Sequence, residues 1–377
     1  MPTMLPALPQ AFGNLKDVFH SAIKSLDGVA NPLSFPRVNS SLVIMVDGLG
    51  WHNLSQYAGH APFLKKHMAK QSKGYCGFPS TTAASLVSLA TGVTPGEHGF
   101  FGYRIFDRKT NESVNLLTGL TVKTLGEYLI KSNSLETQSK TVVVSRPEYL
   151  DSAFSQATFG SARFFGETDI ETRFNKALDE LNSSTNQVVY LYIPELDQAA
   201  HKFGYQSSQW LEKLELVDAQ VQKLTQGLAN SRGVVLTSDH GIMDVPKEKH
   251  IYLNECQNLE GLIDVGGDPR ATFLYFDDKV DRESSRQILE EFLSGLATVH
   301  TISDLVENGF YSEKIMANHH LLPDLVVLPK PGRACYHRSF AKPASLEMVG
   351  QHGGITDQEI GIPIIRLGAY SSSLLVP

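Results

Sequence analysis

"SLVIMVDG", residues 41–48, is the stretch on which the fold reading turns. Five apolar residues, three of them β-branched, run without polar alternation into Asp47 and Gly48. A short unbroken apolar run of this kind is the mark of a strand buried on both faces, as in a parallel sheet. Similar runs recur along the chain: "KTVVVS" (140–145), "QVVYLYIPE" (187–195), "GVVLTSDHG" (233–241), "ATFLYF" (271–276) and "DLVVLP" (324–329). Helical patterns lie between them. "SLVSLATG" follows Thr82, "TVKTLGEYLIKS" places Leu125 and Leu129 four apart, and residues 207–231 form a long amphipathic segment with Leu211, Leu214 and Val217 on one side. Strands alternating with helices predict an α/β fold with a mostly parallel central sheet covered by helices on both faces.

The expected organisation is a core over 37–245 and 324–377, with "DLVVLP" returning the chain to the main sheet. Residues 246–323 read as a small α+β cap insertion, with a helix over "DRESSRQILEEFLSGL". Residues 1–36, rich in proline at both ends, read as an N-terminal extension running over the surface.

Bulk properties exclude several functions. The chain has 377 residues, 42% hydrophobic and 19% charged, as expected of a globular protein. Its net charge of −7 argues against nucleic-acid binding, which needs a basic surface, and against docking on anionic lipid. Cys76, Cys256 and Cys335 are too far apart to form a CxxC metal motif or a disulfide framework. The N-terminus lacks the basic start and apolar run of a secretory signal. No stretch approaches the roughly 18 apolar residues that span a bilayer. The expectation is a cytoplasmic protein.

In open α/β sheets ligands bind beyond the carboxyl ends of the strands, and three strands here end in acids. Asp47 closes the first run, Asp197 follows "VVYLYIPEL" with His201 four residues on, and Asp239–His240 follow "VVLTS". His352 lies in the Gly-rich "VGQHGGIT". Each has a plainer role available: a turn residue for Asp47, a helix cap for Asp239, a solvated helix pair for Asp197 and His201, a loop histidine for His352. Together, three carboxylates and three imidazoles suit two Zn²⁺-like ions with about three protein ligands each. Such a pair clamps the attacking and leaving oxygens of an in-line displacement at phosphorus. Zinc is the expected metal for this oxygen and nitrogen set, with manganese as the alternative.

The segment "GFPSTTAASLVSLATGVTPGEHGF" (77–100) supplies a nucleophile. A helix over Ala83–Ala90 with Ser80 or Thr81 as N-cap puts a hydroxyl in its first turn, at the positive end of the helix dipole. Metal coordination would lower that hydroxyl's pKa.

The set "VDG", "FPSTTAASLVSLATGVTPGEHG", "YIPELDQAAHKFG", "LTSDHGIMDV" and "GQHGG" resembles the nucleotide pyrophosphatase/phosphodiesterase branch of the alkaline phosphatase superfamily, in the family's order from about residue 40 onward. The resemblance implies an alkaline-phosphatase-like core. It implies Asp197, His201 and His352 on one metal, and Asp47, Asp239 and His240 on the other with the nucleophile. Counting back from Thr91–Gly92 as the family does lands on Thr82. Phe78–Pro79 precedes both threonines instead of following the nucleophile, which keeps Thr81 as the alternative. His98 in "GEHG" reads as structural. Where the family's diesterases place an Asn after "HG", this chain has Tyr103 and Arg104: Tyr103 would donate its hydroxyl to phosphate, or Arg104 would grip a doubly charged one. Phe100, Phe101 and Tyr103 would stack on a base or belong to the core.

The implied activity is hydrolysis of a phosphodiester or pyrophosphate in a small phosphorylated, nucleotide-type substrate through a phospho-threonine. Phosphonoacetate hydrolase and phosphomonoesterase are the alternatives on the same site, and an inactive metal-binding scaffold is the alternative of another class. A sulfatase is set aside, because "CGFPSTT" lacks the spacing and the arginine of that family's motif. A cofactor-independent phosphoglycerate mutase would use serine and a basic pocket.

Overall fold

The computed structural model describes residue 5 and residues 13–120 and 140–373; the helix expected in "TVKTLGEYLIKS" lies outside them. Among the described residues the central sheet has seven strands: β1 (Ser40–Val46), β2 (Lys73–Tyr75), β3 (Thr141–Ser145), β4 (Arg163–Gly166), β5 (Gln187–Ile193), β6 (Arg232–Thr237) and β7 (Gly361–Gly368). Their spatial order is β2-β7-β6-β1-β5-β3-β4. β1 runs parallel to both β5 and β6, and β3 runs parallel to both β4 and β5; β7 is antiparallel to its neighbours. This is the expected α/β architecture.

Every residue of β1 is buried, and its side chains alternate between two cores. Val43 and Met45 join one apolar cluster; Leu42, Ile44 and Val46 join the other. Successive side chains of a strand point to opposite faces, so a run buried on both sides must be apolar throughout. The first face is covered by α1 (Leu15–Asp27), through Leu15, Val18, Phe19 and Ala22, and by α2 (Thr82–Thr91). The second is covered by helices that include α3 (Glu195–Phe203) and α4 (Ser208–Gln226), with Trp210, Leu214 and Val217 inward.

Two organisational expectations are corrected. Within the N-terminal extension, Leu15–Asp27 is a core helix capped by Asn14, its apolar stripe packed on the sheet. The strand Leu325–Pro329 does not rejoin the central sheet. It lies in a second, antiparallel six-stranded sheet of order 297–300, 325–329, 271–276, 262–268, 104–107, 112–115. This unit therefore draws strands from before, within and after 246–323. A fully buried apolar run announces a strand but not its partner, because pairing is decided by distant neighbours.

A buried ion pair joins the two sheets. Arg270, in the turn between the strands 262–268 and 271–276, donates from Nε and Nη2 to Glu359, just ahead of β7, at 3.0 and 2.8 Å. Both side chains are fully buried. No helix among the described residues is long and apolar enough to cross a membrane.

Candidate two-metal site

The register of the central sheet assembles the site. Val46 lies beside Ile193, and Met45 beside Thr237, so β1, β5 and β6 end side by side. Asp47, Asp197 and Asp239 leave those three ends. Asp47 is followed by Gly48 at φ 72°, a left-handed conformation that L side chains rarely adopt. A Cβ on Gly48 would also lie 3.0 Å from Cβ of Asp197, so a glycine there lets the two acids approach.

The carboxylates are held by one oxygen and left open at the other. Asp47 Oδ2 accepts from the Tyr192 hydroxyl, and its Oδ1 has no hydrogen-bond partner. Asp239 Oδ1 accepts from the amides of Gly48 (3.1 Å) and His240 (3.0 Å), and its Oδ2 has none. Asp197 Oδ2 lies 3.2 Å from His201 Nε2, one helical turn along α3, and its Oδ1 has none. Burial, then the neighbouring charges of Asp239 and Asp197, hold the Asp47 carboxyl well above the usual carboxylate range. Burial also opposes charge on Asp197, but His201, His352 and His240 together draw the carboxyl below that range.

The histidines share one orientation. Nδ1 of His201 lies 2.8 Å from the Gly350 carbonyl, Nδ1 of His352 lies 3.0 Å from that of Ser80, and Nδ1 of His240 lies 3.2 Å from that of Gly241. A carbonyl only accepts, so each Nδ1 carries a proton, and the neutral form of each ring keeps its lone pair on Nε2. That tautomer, fixed by a backbone acceptor, is what a metal-ligating histidine requires. His240 stacks on His352 at 3.7 Å, and burial, then the neighbouring His240, push the His352 pKa well below the ordinary value.

Two groups bring their donor atoms within 4.8 Å of one another: Asp197, His201 and His352, and Asp47, Asp197 and His240. The first is the set expected from sequence. In the second, Asp197 takes the place expected for Asp239, whose Oδ2 lies 3.5 Å from His240 Nε2. Three buried carboxylate oxygens without hydrogen bonds are costly in an apolar interior, and a cation is the partner that satisfies all of them. The donor set therefore fits divalent metal.

The three consecutive hydroxyls of 80–82 have separate surroundings. Ser80 Oγ donates to the Gly354 carbonyl (2.8 Å) and accepts from Gly353 N (3.2 Å), which ties down the His352 loop. Thr81 is the N-cap of α2: its Oγ1 accepts from Ala84 N at 3.3 Å. Thr82 is the first helical residue, and its Oγ1 lies 3.2 Å from His240 Nε2. Because that nitrogen holds the lone pair, the Thr82 hydroxyl is the donor.

Other predicted residues separate. Phe100 and Phe101 are fully buried core. His98 is buried too: its Nε2 lies 2.9 Å from Ser88 Oγ, and its Nδ1 accepts from Phe100 N. Burial pushes its pKa down to about 3. Tyr103 is 38% exposed, with its amide donating to Asp268 at 3.3 Å. Arg104 does not supply a free guanidinium: Nη1 donates to the Val265 carbonyl, and Nη2 donates to Asp264 (2.8 Å) and Ser113 (2.7 Å). Its guanidinium donors are thus engaged by the second sheet.

Beside Thr82 opens a cavity of about 650 Å³ whose walls include Leu86, Tyr149, Phe154, Phe159, Tyr190 and Tyr192. Sequence reading passed over Tyr192; the only signal was a pair of tyrosines two apart in β5, which places both on one face.

The family model for type I phosphodiesterase / nucleotide pyrophosphatase matches residues 41–355, most of the chain. The chain belongs to that family. Mouse ectonucleotide pyrophosphatase/phosphodiesterase family member 1 is 25% identical over 249 residues, 62% of this chain and 27% of that protein. An uncharacterized pyrophosphatase/phosphodiesterase of Schizosaccharomyces pombe is 22% identical over 273 residues, 69% of this chain and 52% of that protein. The chain thus spans about a quarter of the mammalian relative's length and about half of the yeast one's. An inactive threonine-to-alanine variant of murine ectonucleotide pyrophosphatase/phosphodiesterase 5 in complex with AMP superposes with a TM-score of 0.65 at 17% identity, covering 88% of each chain. The family's alkaline-phosphatase-like fold is the fold described above.

Proposed function

We propose that this chain is a two-metal phosphohydrolase that cleaves a phosphodiester or pyrophosphate bond of a nucleotide-type substrate, with Thr82 as nucleophile. The observation that carries the reading is the placement of Thr82 Oγ1, 3.2 Å from His240 Nε2, beside three buried carboxylates that each keep an unpartnered oxygen. Asp197, His201 and His352 would hold one Zn²⁺, and Asp47, Asp239 and His240 the other. When bound, such a pair lowers the pKa of a coordinated hydroxyl and neutralises charge on the phosphoryl oxygens.

The chain's own residues do the rest. Thr81 fixes the start of α2, so the adjacent amides of Thr82 and Ala83, which precede the first helical hydrogen bond, lie at the positive end of the helix. Phosphoryl oxygens are favoured there. Thr82 Oγ1 attacks phosphorus, the ester oxygen on the far side departs, and the phosphoryl group rests on Thr82. Water then attacks the same phosphorus and frees Thr82. Two in-line displacements leave configuration at phosphorus retained. The aromatic wall of Tyr149, Phe154 and Tyr190 suits the base of a nucleotide, by stacking and burial. The AMP bound by the murine family member 5 variant supports that class of ligand. A doubly charged monoester finds less support, because Arg104 is paired with Asp264.

The test is Thr82→Ala, assayed on bis-p-nitrophenyl phosphate after zinc loading. Turnover should vanish while zinc content stays at the wild-type level. A rate near wild type would end the assignment of Thr82.

A further inference from the structure

We infer that Tyr192 is a positioning residue for the metal centre: its hydroxyl pins one oxygen of Asp47 so that the other is presented to the ligand cluster. The inference rests on the metal-centre reading above.

Three observations lead to it. The Tyr192 hydroxyl donates to Asp47 Oδ2. The other oxygen, Oδ1, is buried, lacks a hydrogen-bond partner and lies 3.4 Å from His240 Nε2. Of the other two acids, Asp239 achieves the same division through two backbone amides. No backbone amide among the described residues donates to the Asp47 side chain, so the Tyr192 hydroxyl is the donor that orients it.

The tyrosine is itself held. Its ring lies at 17° to that of Tyr190 with centroids 6.3 Å apart, and edge-on to Tyr149 at 5.8 Å. β5 carries it parallel to β1, with Tyr192 beside Met45 and Ile193 beside Val46. The hydroxyl is thus delivered to the acid that follows Val46 by sheet register, not by a loop. A donor placed this way acts on a metal by orienting its ligand, and loss of such a partner typically weakens metal affinity about 10- to 100-fold. Tyr192 also lines the cavity beside Thr82, so the same side chain meets both the substrate space and the metal ligand.

The test is a Zn²⁺ titration of chelator-stripped full-length protein against a competing chromophoric chelator, on wild type, Tyr192→Phe and Tyr190→Phe. Wild type should bind two equivalents. In Tyr192→Phe one equivalent should weaken about 10- to 100-fold and the other should hold. Tyr190→Phe, which removes a buried hydroxyl without a partner, should keep both within twofold. A Co²⁺ titration adds a spectroscopic check: the visible bands of the weakened equivalent should shift in Tyr192→Phe alone. If wild type binds two ions and Tyr192→Phe binds both as tightly with unchanged bands, the positioning role is refuted and the metal centre stands. If wild type binds none, the metal reading fails and the inference falls with it. Should Tyr192→Phe lose its fold, judged by circular dichroism, Tyr192→His supplies a donor at the same position; recovery of neither site nor bands there also refutes the role.

Discussion

Replacing Glu359 with Gln tests whether the two sheets are fastened by a buried charge pair. Glu359 accepts from Arg270 Nε and Nη2, from the Gly354 amide at 2.9 Å and from Thr356 Oγ1 at 2.6 Å. Burial alone would keep this carboxyl neutral, but Arg270 and these donors hold it below the usual range. Arg270 is 1% exposed and also donates to the carbonyls of Pro329, Lys330 and Arg333. Glu359→Gln keeps the volume but removes the negative charge and turns one acceptor into a donor facing other donors. Breaking a buried pair from one side leaves an uncompensated charge and costs about 3–5 kcal/mol. With a urea m-value of about 3 kcal/mol/M for a chain of this size, the midpoint should fall by about 1–1.7 M. The assay is urea unfolding at pH 7 without added metal, followed by tryptophan fluorescence. Because Gly354 neighbours His352, zinc affinity should fall as well. A midpoint within about 0.3 M of wild type would mean that Arg270 is satisfied by its carbonyls alone, and the fastening argument would be wrong.

Further outcomes follow from other contacts. His98 has its folded pKa lowered to about 3 from an ordinary 6.5, so its neutral burial is fully stabilising above pH 6.5 and that contribution is lost as pH falls toward 3. Stability measured across that range should decline in wild type, and the decline should be shallower in His98→Gln. Gly48→Ala should cost at least about 1–3 kcal/mol, from its positive φ and its contact with Asp197, and should weaken zinc binding; a neutral result would remove the steric argument. Thr81→Ala should cost about 1 kcal/mol as a lost N-cap, read by thermal melting. Removing metal with EDTA should lower the melting temperature, and returning Zn²⁺ should restore it in a concentration-dependent way.

The parts that were legible in the sequence are those governed by local pattern. The run 42–46 is apolar throughout because its two faces meet two different cores, and that is visible without a structure. Strand-end acids and the four-residue spacing of Asp197 and His201 are visible for the same reason. What was hidden depends on distant partners. Leu325–Pro329 reads as a strand in either sheet, and only the strands beside it place it in the second. Arg104 reads as an available cation until Asp264, from a strand 160 residues away, takes it up. Tyr192 carries no motif; its link to Asp47 spans 145 residues and depends on strand register. The neighbouring hydroxyls of Thr81 and Thr82 differ by a single residue about the helix start, a distinction that cap geometry draws and composition does not.

The central claim is that six side chains from separated parts of the chain converge on two cations beside Thr82. Anomalous diffraction at the zinc edge, from crystals grown with Zn²⁺, tests it most directly. The account predicts two peaks, one among Asp197, His201 and His352 and one among Asp47, Asp239 and His240, the latter within bonding distance of Thr82 Oγ1. A single peak, or peaks away from these residues, would contradict it.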